Sequence, residues 1–331
     1  MRAAAFVGAA PGASGAAPAS IKPRRIRPGA RVSLIAPSGS ASGPDRVEAS
    51  IHALESLGLR VKASPHCSDA YGYLAGDDAT RARELELAFL DPDTTGVICL
   101  KGGYGTPRIL DKIDYGVMAA NPKLFLGYSD ITALHIAFRQ MAGLVTFHGP
   151  MPSSDMVPDF DPESLASLEK MLFGRGGLPG KIANPRERPF ETLAEGICEG
   201  ELVGGNLSLL AATMGTPWEI DTKGKIIFIE DIDEAPYRID RMVNQLRLAG
   251  KFEACAGILI GSWTRCAAPE GKRSLTIGEI LRDLLLPCGK PMLQGLEAGH
   301  CVPALTLPVG IRCRMNASAG VLETLESPFA D

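Results

Sequence analysis

Lys123-Leu124-Phe125-Leu126-Gly127-Tyr128-Ser129-Asp130-Ile131-Thr132-Ala133-Leu134 is the stretch on which the reading of this chain turns. Its first half, 123–127, is an apolar run ending in glycine and reads as a strand. Beyond Ser129 the apolar residues Ile131, Leu134, Phe138 and Met141 fall on one face of a helix. A strand therefore passes into a helix through a short turn, and Ser129 sits in that turn. Two readings are open at this position. Serine is a favoured helix N-cap, because its oxygen accepts an orphan backbone N–H. It is also the residue of a nucleophile elbow, where a sharp strand-to-helix turn projects a hydroxyl towards a helix N-terminus. Gly127 supplies the small residue two before the serine. Ile131 stands two after it, so the G-x-S-x-G pattern of α/β-hydrolases is not met.

Working outward, the same alternation repeats. Residues 31–36 read as a buried strand closed by Pro37-Ser38-Gly39. A helix follows, with Val47, Ile51, Leu54 and Leu57 at i, i+4, i+7 and i+10. Gly58 breaks it before a second strand at 59–63. A polar helix near 78–90 leads to a third strand at 96–100, which runs into Lys101-Gly102-Gly103-Tyr104-Gly105. Residues 144–147 form a fifth strand. Strands alternating with amphipathic helices predict a parallel α/β sheet, whose ligands bind beyond the carboxyl ends of the strands. The Gly102-Gly103 pair and Ser129 both fall at such ends.

After residue 150 proline, glycine and charge rise, with one short helix near 162–173. Shorter strands follow at 200–204, 225–229, 256–262, 292–296 and 304–309, interrupted by helices at 207–214 and 239–248. This half predicts a smaller mixed α/β domain. The expected organisation is a tail over 1–27, an α/β domain bearing Ser129 over 28–158, a linker over 159–189 and a carboxy-terminal domain over 190–331. The first 20 residues faintly resemble a signal peptide, but Gly8 interrupts their weak apolar core. A disordered Ala/Gly-rich tail is the expectation there.

The 331 residues are 45% hydrophobic and 22% charged, enough apolar material for a large core. A formal net charge of −4 gives no basic excess for nucleic acid or an anionic membrane. No run of about 18 apolar residues offers a membrane-spanning helix. The eight cysteines contain no C-x-x-C pair and no zinc spacing. Several lie inside apolar runs, so they are expected to be reduced and buried in a cytoplasmic protein.

A serine nucleophile needs a base and an orienting acid. Of the five histidines, His52 and His135 occupy helical positions, and His148 follows a strand. His300 lies in the Gly-flanked loop Glu297-Ala298-Gly299-His300-Cys301, the kind of place where scaffolds hold catalytic groups. The acid candidates lie in Glu230-Asp231-Ile232-Asp233-Glu234, delivered by the strand at 225–229. EF-hand spacing is missing there, so no metal is expected. Glu230 is assigned to orient a histidine, and the other acids to solvent or to pairing with Arg238 and Arg241. The Gly102-Gly103 loop lacks a complete phosphate-binding pattern. As an oxyanion hole it would use the Gly103 and Asp130 N–H groups.

Taken together these segments resemble the LD-carboxypeptidases, also called muramoyltetrapeptide carboxypeptidases. The resemblance rests on Val32-Ser33-Leu34-Ile35-Ala36-Pro37-Ser38, Lys101-Gly102-Gly103-Tyr104-Gly105, Gly127-Tyr128-Ser129-Asp130-Ile131-Thr132 and Thr146-Phe147-His148-Gly149-Pro150. It continues through Gly204-Gly205-Asn206-Leu207, Gly215-Thr216-Pro217, Ile229-Glu230-Asp231, Tyr237-Arg238-Ile239-Asp240-Arg241 and Gly299-His300-Cys301 with Leu305-Thr306-Leu307-Pro308. Their shared order covers nearly all of 28–316. The resemblance implies an amino-terminal flavodoxin-like domain and a swivelling β-rich carboxy-terminal domain. It implies a cofactor-free serine peptidase with Ser129 as nucleophile, Glu230 as acid and His300 as base. It further implies a cytoplasmic homodimer that removes the terminal D-Ala of murein tetrapeptides, a muropeptide substrate, during peptidoglycan recycling. A carboxypeptidase must hold a free carboxylate, for which Arg238 or Arg108 is the candidate. Two other readings remain. One is a microcin-immunity-type hydrolase of peptide-nucleotides, which an aromatic platform near the site would favour; Trp218 and Trp263 are the only tryptophans. The other is a non-catalytic muropeptide sensor, against which the intact serine, acid and histidine argue.

Overall fold

Residues on a strand point alternately to its two faces, and in this chain both faces are apolar. The computed structural model describes residues 18–174 and 178–330. The first five strands are β1 (Arg31–Ile35), β2 (Arg60–Ala63), β3 (Gly96–Cys99), β4 (Leu124–Gly127) and β5 (Thr146–His148). They run parallel in the order β5-β4-β3-β1-β2, the doubly wound arrangement of flavodoxin-like sheets. Along β4, Phe125 enters one core with Phe89, Phe138 and Val97, while Leu124 and Leu126 enter another with Leu34, Leu54 and Phe147. Helix Pro44–Ser56 covers the second face, and helix Asp78–Leu90 covers the first.

The second sheet contains β6 (Lys181–Ile182), β7 (Glu191–Ala194), β8 (Ile197–Asn206), β9 (Ile226–Ile232), β10 (Gly257–Thr264) and β11 (Met292–Gln294). After these come β12 (Leu307–Val309), β13 (Arg312–Asn316) and β14 (Val321–Thr324). Its order is β6-β14-β13-β8-β9-β10-β11-β7, parallel from β8 to β11 and antiparallel at both flanks. The same alternation operates here. Ile227 and Ile229 of β9 face helix Pro236–Leu248 through Ile239 and Val243, and Phe228 faces Leu293, Leu296 and Ala298. Glu230, one position beyond Ile229, therefore falls on the Phe228 side.

Several expectations change. The strand foreseen at 304–309 does not join the second sheet. As β12 it lies antiparallel to β5, with Leu307 opposite His148 and Val309 opposite Thr146. Its brevity hid its partner, because three apolar residues match either sheet. The stretch 159–189 is not a bare linker. Helix Pro162–Phe173 packs Leu168, Met171 and Leu172 into the first-domain core. Residues 1–17 of the expected tail lie outside the described residues. Residues 18–27 are anchored at points: Ile21 bridges Leu144, and Ile26 is buried against the first sheet. Strands β13 and β14 and helix Ile277–Leu285 were not foreseen; charged residues alternate along β13 and mask its apolar face.

Polar contacts also join the two domains. Arg139 pairs with Glu201 at 2.6 Å, both largely shielded from solvent. The Asn206 N–H donates to Thr132 Oγ1 at 3.0 Å. Among the described residues no helix is long and apolar enough to cross a membrane. All eight cysteines are unpaired, five of them buried.

Candidate active site

The turn after β4 is tight for identifiable reasons. A Cβ on Gly127 would stand 3.0 Å from Ile131 and 3.2 Å from Cys99, so only glycine lets strand and helix meet this closely. Ser129 has φ 63, a left-handed conformation that L-residues avoid and nucleophile elbows use. Three neighbours hold it. His135 donates from Nε2 to the Gly127 carbonyl at 2.8 Å. The buried Asp130 carboxylate accepts from Ser38 Oγ at 2.6 Å and from the Thr106 N–H at 2.8 Å. Burial raises the Asp130 pKa, and these hydrogen bonds work against the rise. Gly102 touches the serine: a Cβ there would stand 3.0 Å from Ser129 Cβ and 3.2 Å from its Oγ.

The acid and the histidine come from the other domain. His300 Nδ1 lies 2.7 Å from Glu230 Oε2, and His300 Nε2 lies 3.0 Å from Ser129 Oγ. With Nδ1–H donating to the carboxylate, Nε2 is the acceptor for the serine hydroxyl. The His300 backbone N–H donates to the same Glu230 oxygen at 3.1 Å, and Thr264 Oγ donates to the His300 carbonyl. Glu230 is fully buried. Burial pulls the His300 pKa down, but the hydrogen bond and charge of Glu230 outweigh it, with help from Asp231 and Asp155, and the net shift is upward.

Gly299 makes this approach possible. It has φ 91, and a Cβ there would fall 2.3 Å from Glu230 Oε2. Gly299→Ala should therefore push the histidine loop off the carboxylate. The expected result is a fall of about 100-fold or more in kcat/KM, since displacing a catalytic group by about 1 Å costs that much. A lower Tm should accompany it, from about 1–2 kcal/mol of left-handed strain. Activity assays paired with thermal melts check both.

Other residues line the site that the sequence reading did not single out. Tyr128 lies 4.9 Å from the His300 ring, centroid to centroid, and donates its hydroxyl to Asp155 at 2.8 Å. Asp155 also accepts the Met151 N–H at 2.8 Å; burial raises its pKa. Asp231, expected in solvent or in an ion pair, is instead buried and accepts from Asn206 Nδ2 at 2.9 Å and Ser208 Oγ at 2.8 Å. Its signal was present in Gly204-Gly205-Asn206, which pairs with β9 so that Asn206 stands opposite Glu230. Asp233 pairs with Arg265, and Glu234 with Arg238. His148 is buried between Tyr128 and Phe228 rather than on the open sheet edge.

The two arginine candidates differ. Arg108 is engaged by Asp78 through contacts of 2.9, 3.2 and 2.9 Å. Arg238 makes only longer contacts, 3.2 Å to the Tyr237 hydroxyl and 3.4 Å to Glu234, and its side chain is 54% exposed. Neither is brought against Ser129 by a hydrogen bond of this structure. Among the described residues no cluster of three His, Cys, Asp or Glu side chains could hold a metal ion.

Residues 32–149 match the LD-carboxypeptidase N-terminal domain, and residues 199–315 match the LD-carboxypeptidase C-terminal domain. The chain belongs to the LD-carboxypeptidase family. Within this LD-carboxypeptidase the first matched segment carries Ser129, and the second carries Glu230 and His300. A probable murein peptide carboxypeptidase of Bacillus subtilis (strain 168) is 44% identical over 298 residues, covering 90% of this chain and 92% of the relative. The structure of a muramoyltetrapeptide carboxypeptidase from Oxalobacter formigenes matches with a TM-score of 0.78 and 30% identity, over 89% of this chain and 97% of its own. The structure of MccF in complex with glutamyl sulfamoyl guanosine matches with a TM-score of 0.85 over 93% and 99%; at 23% identity it shows a shared fold. The LD-carboxypeptidase is thus a two-domain α/β enzyme whose serine, histidine and glutamate meet at the domain boundary.

Proposed function

We propose that this enzyme is a serine carboxypeptidase that releases the terminal D-Ala of murein tetrapeptides by cleaving an L–D amide. The observation that carries the reading is the unbroken hydrogen-bonded path from Ser129 through His300 to Glu230. His300 Nε2 takes the serine proton as Oγ attacks the carbonyl of the diamino acid. Glu230 fixes the tautomer and stabilises the imidazolium. Gly103 and Asp130 N–H groups receive the oxyanion, each such donor contributing roughly 3 kcal/mol to the transition state. His300 then protonates the departing D-Ala amine, and water attacking through the same histidine clears the acyl-enzyme.

Support for the oxyanion pair is positional: Asp130 follows the nucleophile directly, and Gly102, before Gly103, touches Ser129. For the substrate carboxylate Arg238 is preferred over Arg108, whose guanidinium is already spanned by Asp78. The names of the Bacillus and Oxalobacter relatives support a muropeptide substrate. A cytoplasmic homodimer acting in peptidoglycan recycling completes the proposal. Neither tryptophan supplies the aromatic platform that would favour the immunity-type reading. Trp263 is half-buried and packs against the second-domain core, while its neighbours Ser262 and Thr264 contact the histidine loop. Trp218 packs against the first-domain core.

The test is incubation of the purified enzyme with a murein tetrapeptide ending in D-Ala and with its L-Ala epimer, following released alanine by mass spectrometry. Release from the D-terminated peptide alone is expected. Release from neither would end the murein reading.

A further inference from the structure

An imidazole turns about one soft bond, since the χ2 torsion of histidine has broad minima. The hydrogen bond from His300 Nδ1 to Glu230, 2.7 Å long, holds one edge of the ring. The bond between Nε2 and Ser129 Oγ, 3.0 Å long, holds the other. That second bond lasts only while the serine oxygen carries a proton. Once Oγ is esterified in an acyl-enzyme it has none to donate, and this edge of the ring is released. The histidine must nevertheless keep its aim, because it has still to activate water. Something besides the two hydrogen bonds has to hold the ring at that stage.

Tyr128 stands where such a hold is needed. Its ring is buried and lies 4.9 Å from the His300 ring, inclined at 55°. The fully buried His148 ring also packs on it, at 5.7 Å. The Tyr128 hydroxyl donates to Asp155 Oδ1 at 2.8 Å, and the other oxygen of that carboxylate accepts the Met151 N–H at 2.8 Å. Asp155 lies in the turn Pro152–Met156, which is tied down from two sides. The Ser153 N–H donates to the Leu100 carbonyl at 3.0 Å, just past β3. Arg46 of helix Pro44–Ser56 donates from Nε to the Ser153 carbonyl at 3.0 Å and from Nη2 to the Val157 carbonyl at 2.9 Å. A side chain next to the serine, anchored within the serine's half of the molecule, therefore reaches across to the histidine of the other domain.

We propose that Tyr128 and Asp155 are a positioning pair for His300: the tyrosine ring braces the imidazole against swinging about its Cβ–Cγ bond, and the carboxylate anchors that ring through its hydroxyl. This rests on the serine-hydrolase part of the reading above and is independent of the substrate named there. Phenylalanine would fill the same space as Tyr128. What the hydroxyl adds is a fixed place for the ring, because the carboxylate it meets is itself held by a backbone donor. Two residues that share one link should act as a unit, so their losses should not add.

The experiment follows D-Ala release from the murein tetrapeptide by wild type, Tyr128→Phe, Asp155→Ala, their double variant and Asp155→Asn. Tyr128→Phe and Asp155→Ala should each lower kcat about tenfold with KM within about twofold, the scale of one link in a coupled network. The double variant should be no slower than the slower single one. Asp155→Asn should restore most of the rate, because its oxygen can accept the Met151 N–H while its amide donates to the tyrosine oxygen. Tyr128→Phe is nearly isosteric and decides the matter if Asp155→Ala fails to fold. A wild-type kcat in Tyr128→Phe overturns the pair, as does a double variant slowed by the product of the two losses. A second readout needs no substrate. Proton NMR should show the His300 Nδ1–H as a sharp, far-downfield line in wild type, broadened by exchange with water in Tyr128→Phe. A packing role alone would lower Tm and leave that line as it was. An unchanged line, or no such line in wild type, overturns the proposal. If wild type releases no D-Ala, the substrate reading fails by itself and the NMR line decides the pair.

Discussion

Ser129→Ala should abolish D-Ala release, with kcat falling on the order of 10⁶-fold, the scale on which a triad loses its nucleophile. His300 and Glu230 remain in place in this variant but have no hydroxyl to activate. Only the oxyanion donors and binding would survive, and they leave a small residual rate. Equal release by variant and wild type would reduce Ser129 to a helix cap. A second substitution separates chemistry from conformation. Ser129 has φ 63, where a Cβ is strained and glycine is not. Ser129→Gly should be as inactive as Ser129→Ala yet more stable than it by about 1 kcal/mol, read from denaturant melts. Both variants lack the hydroxyl, so the comparison isolates the strain of the turn. An alanine variant as stable as the glycine variant would mean that the turn stores none.

Glu230→Gln should lower kcat by about 10⁴-fold while leaving the fold intact, as expected when a histidine loses the charge that stabilises its imidazolium. One carboxylate oxygen accepts from both the backbone N–H and Nδ1 of His300. The glutamine oxygen can take that place, so geometry survives and charge does not. The pH profile adds a signed prediction. His300 acts as a base only when neutral. Glu230 raises its pKa against the downward pull of burial. Wild-type kcat/KM should therefore fall on the acid side through a pKa above 6.5. In Glu230→Gln only the charges of Asp231 and Asp155 still oppose the pull of burial, so the acid limb should move to lower pH even as the rate falls. A limb that stays put would assign it to another group, with Asp155 the nearest alternative.

The first sheet was legible because its central strands β3 and β4 are continuous apolar runs and the helices after β1 and β4 keep a clean period. Helix 78–90 is observed as Asp78–Leu90. The serine was legible as a turn residue, but its strain was not, since φ is not written in side-chain type. Glu230 and His300 stood out as a strand-end acid and a glycine-flanked imidazole. What escaped was long-range pairing. Asp231 looked like one more surface acid, because Asn206 and Ser208, which satisfy it, lie more than 20 residues away. Arg81 looked like a polar helix residue, yet its guanidinium is buried under two loops. β12 was found as a strand and placed in the wrong sheet, because register between distant short strands has no local signature.

That same three-residue strand bears on how the enzyme could be divided. Past His300 the chain leaves its own sheet, caps β5 of the first, and returns to β13. Ala304 and Thr306 N–H groups are held on the way by Ser164 and Ser167 of helix Pro162–Phe173. A gene cut near residue 189 would yield an amino-terminal fragment with a bare, apolar sheet edge, inviting aggregation. The complementary fragment would carry a homeless strand beside its catalytic histidine. A protease nick near that position in the finished enzyme would leave both pieces bound. The two halves are better regarded as interlocked than as modules, and inheritance or engineering that exchanges one must carry the clasp with it.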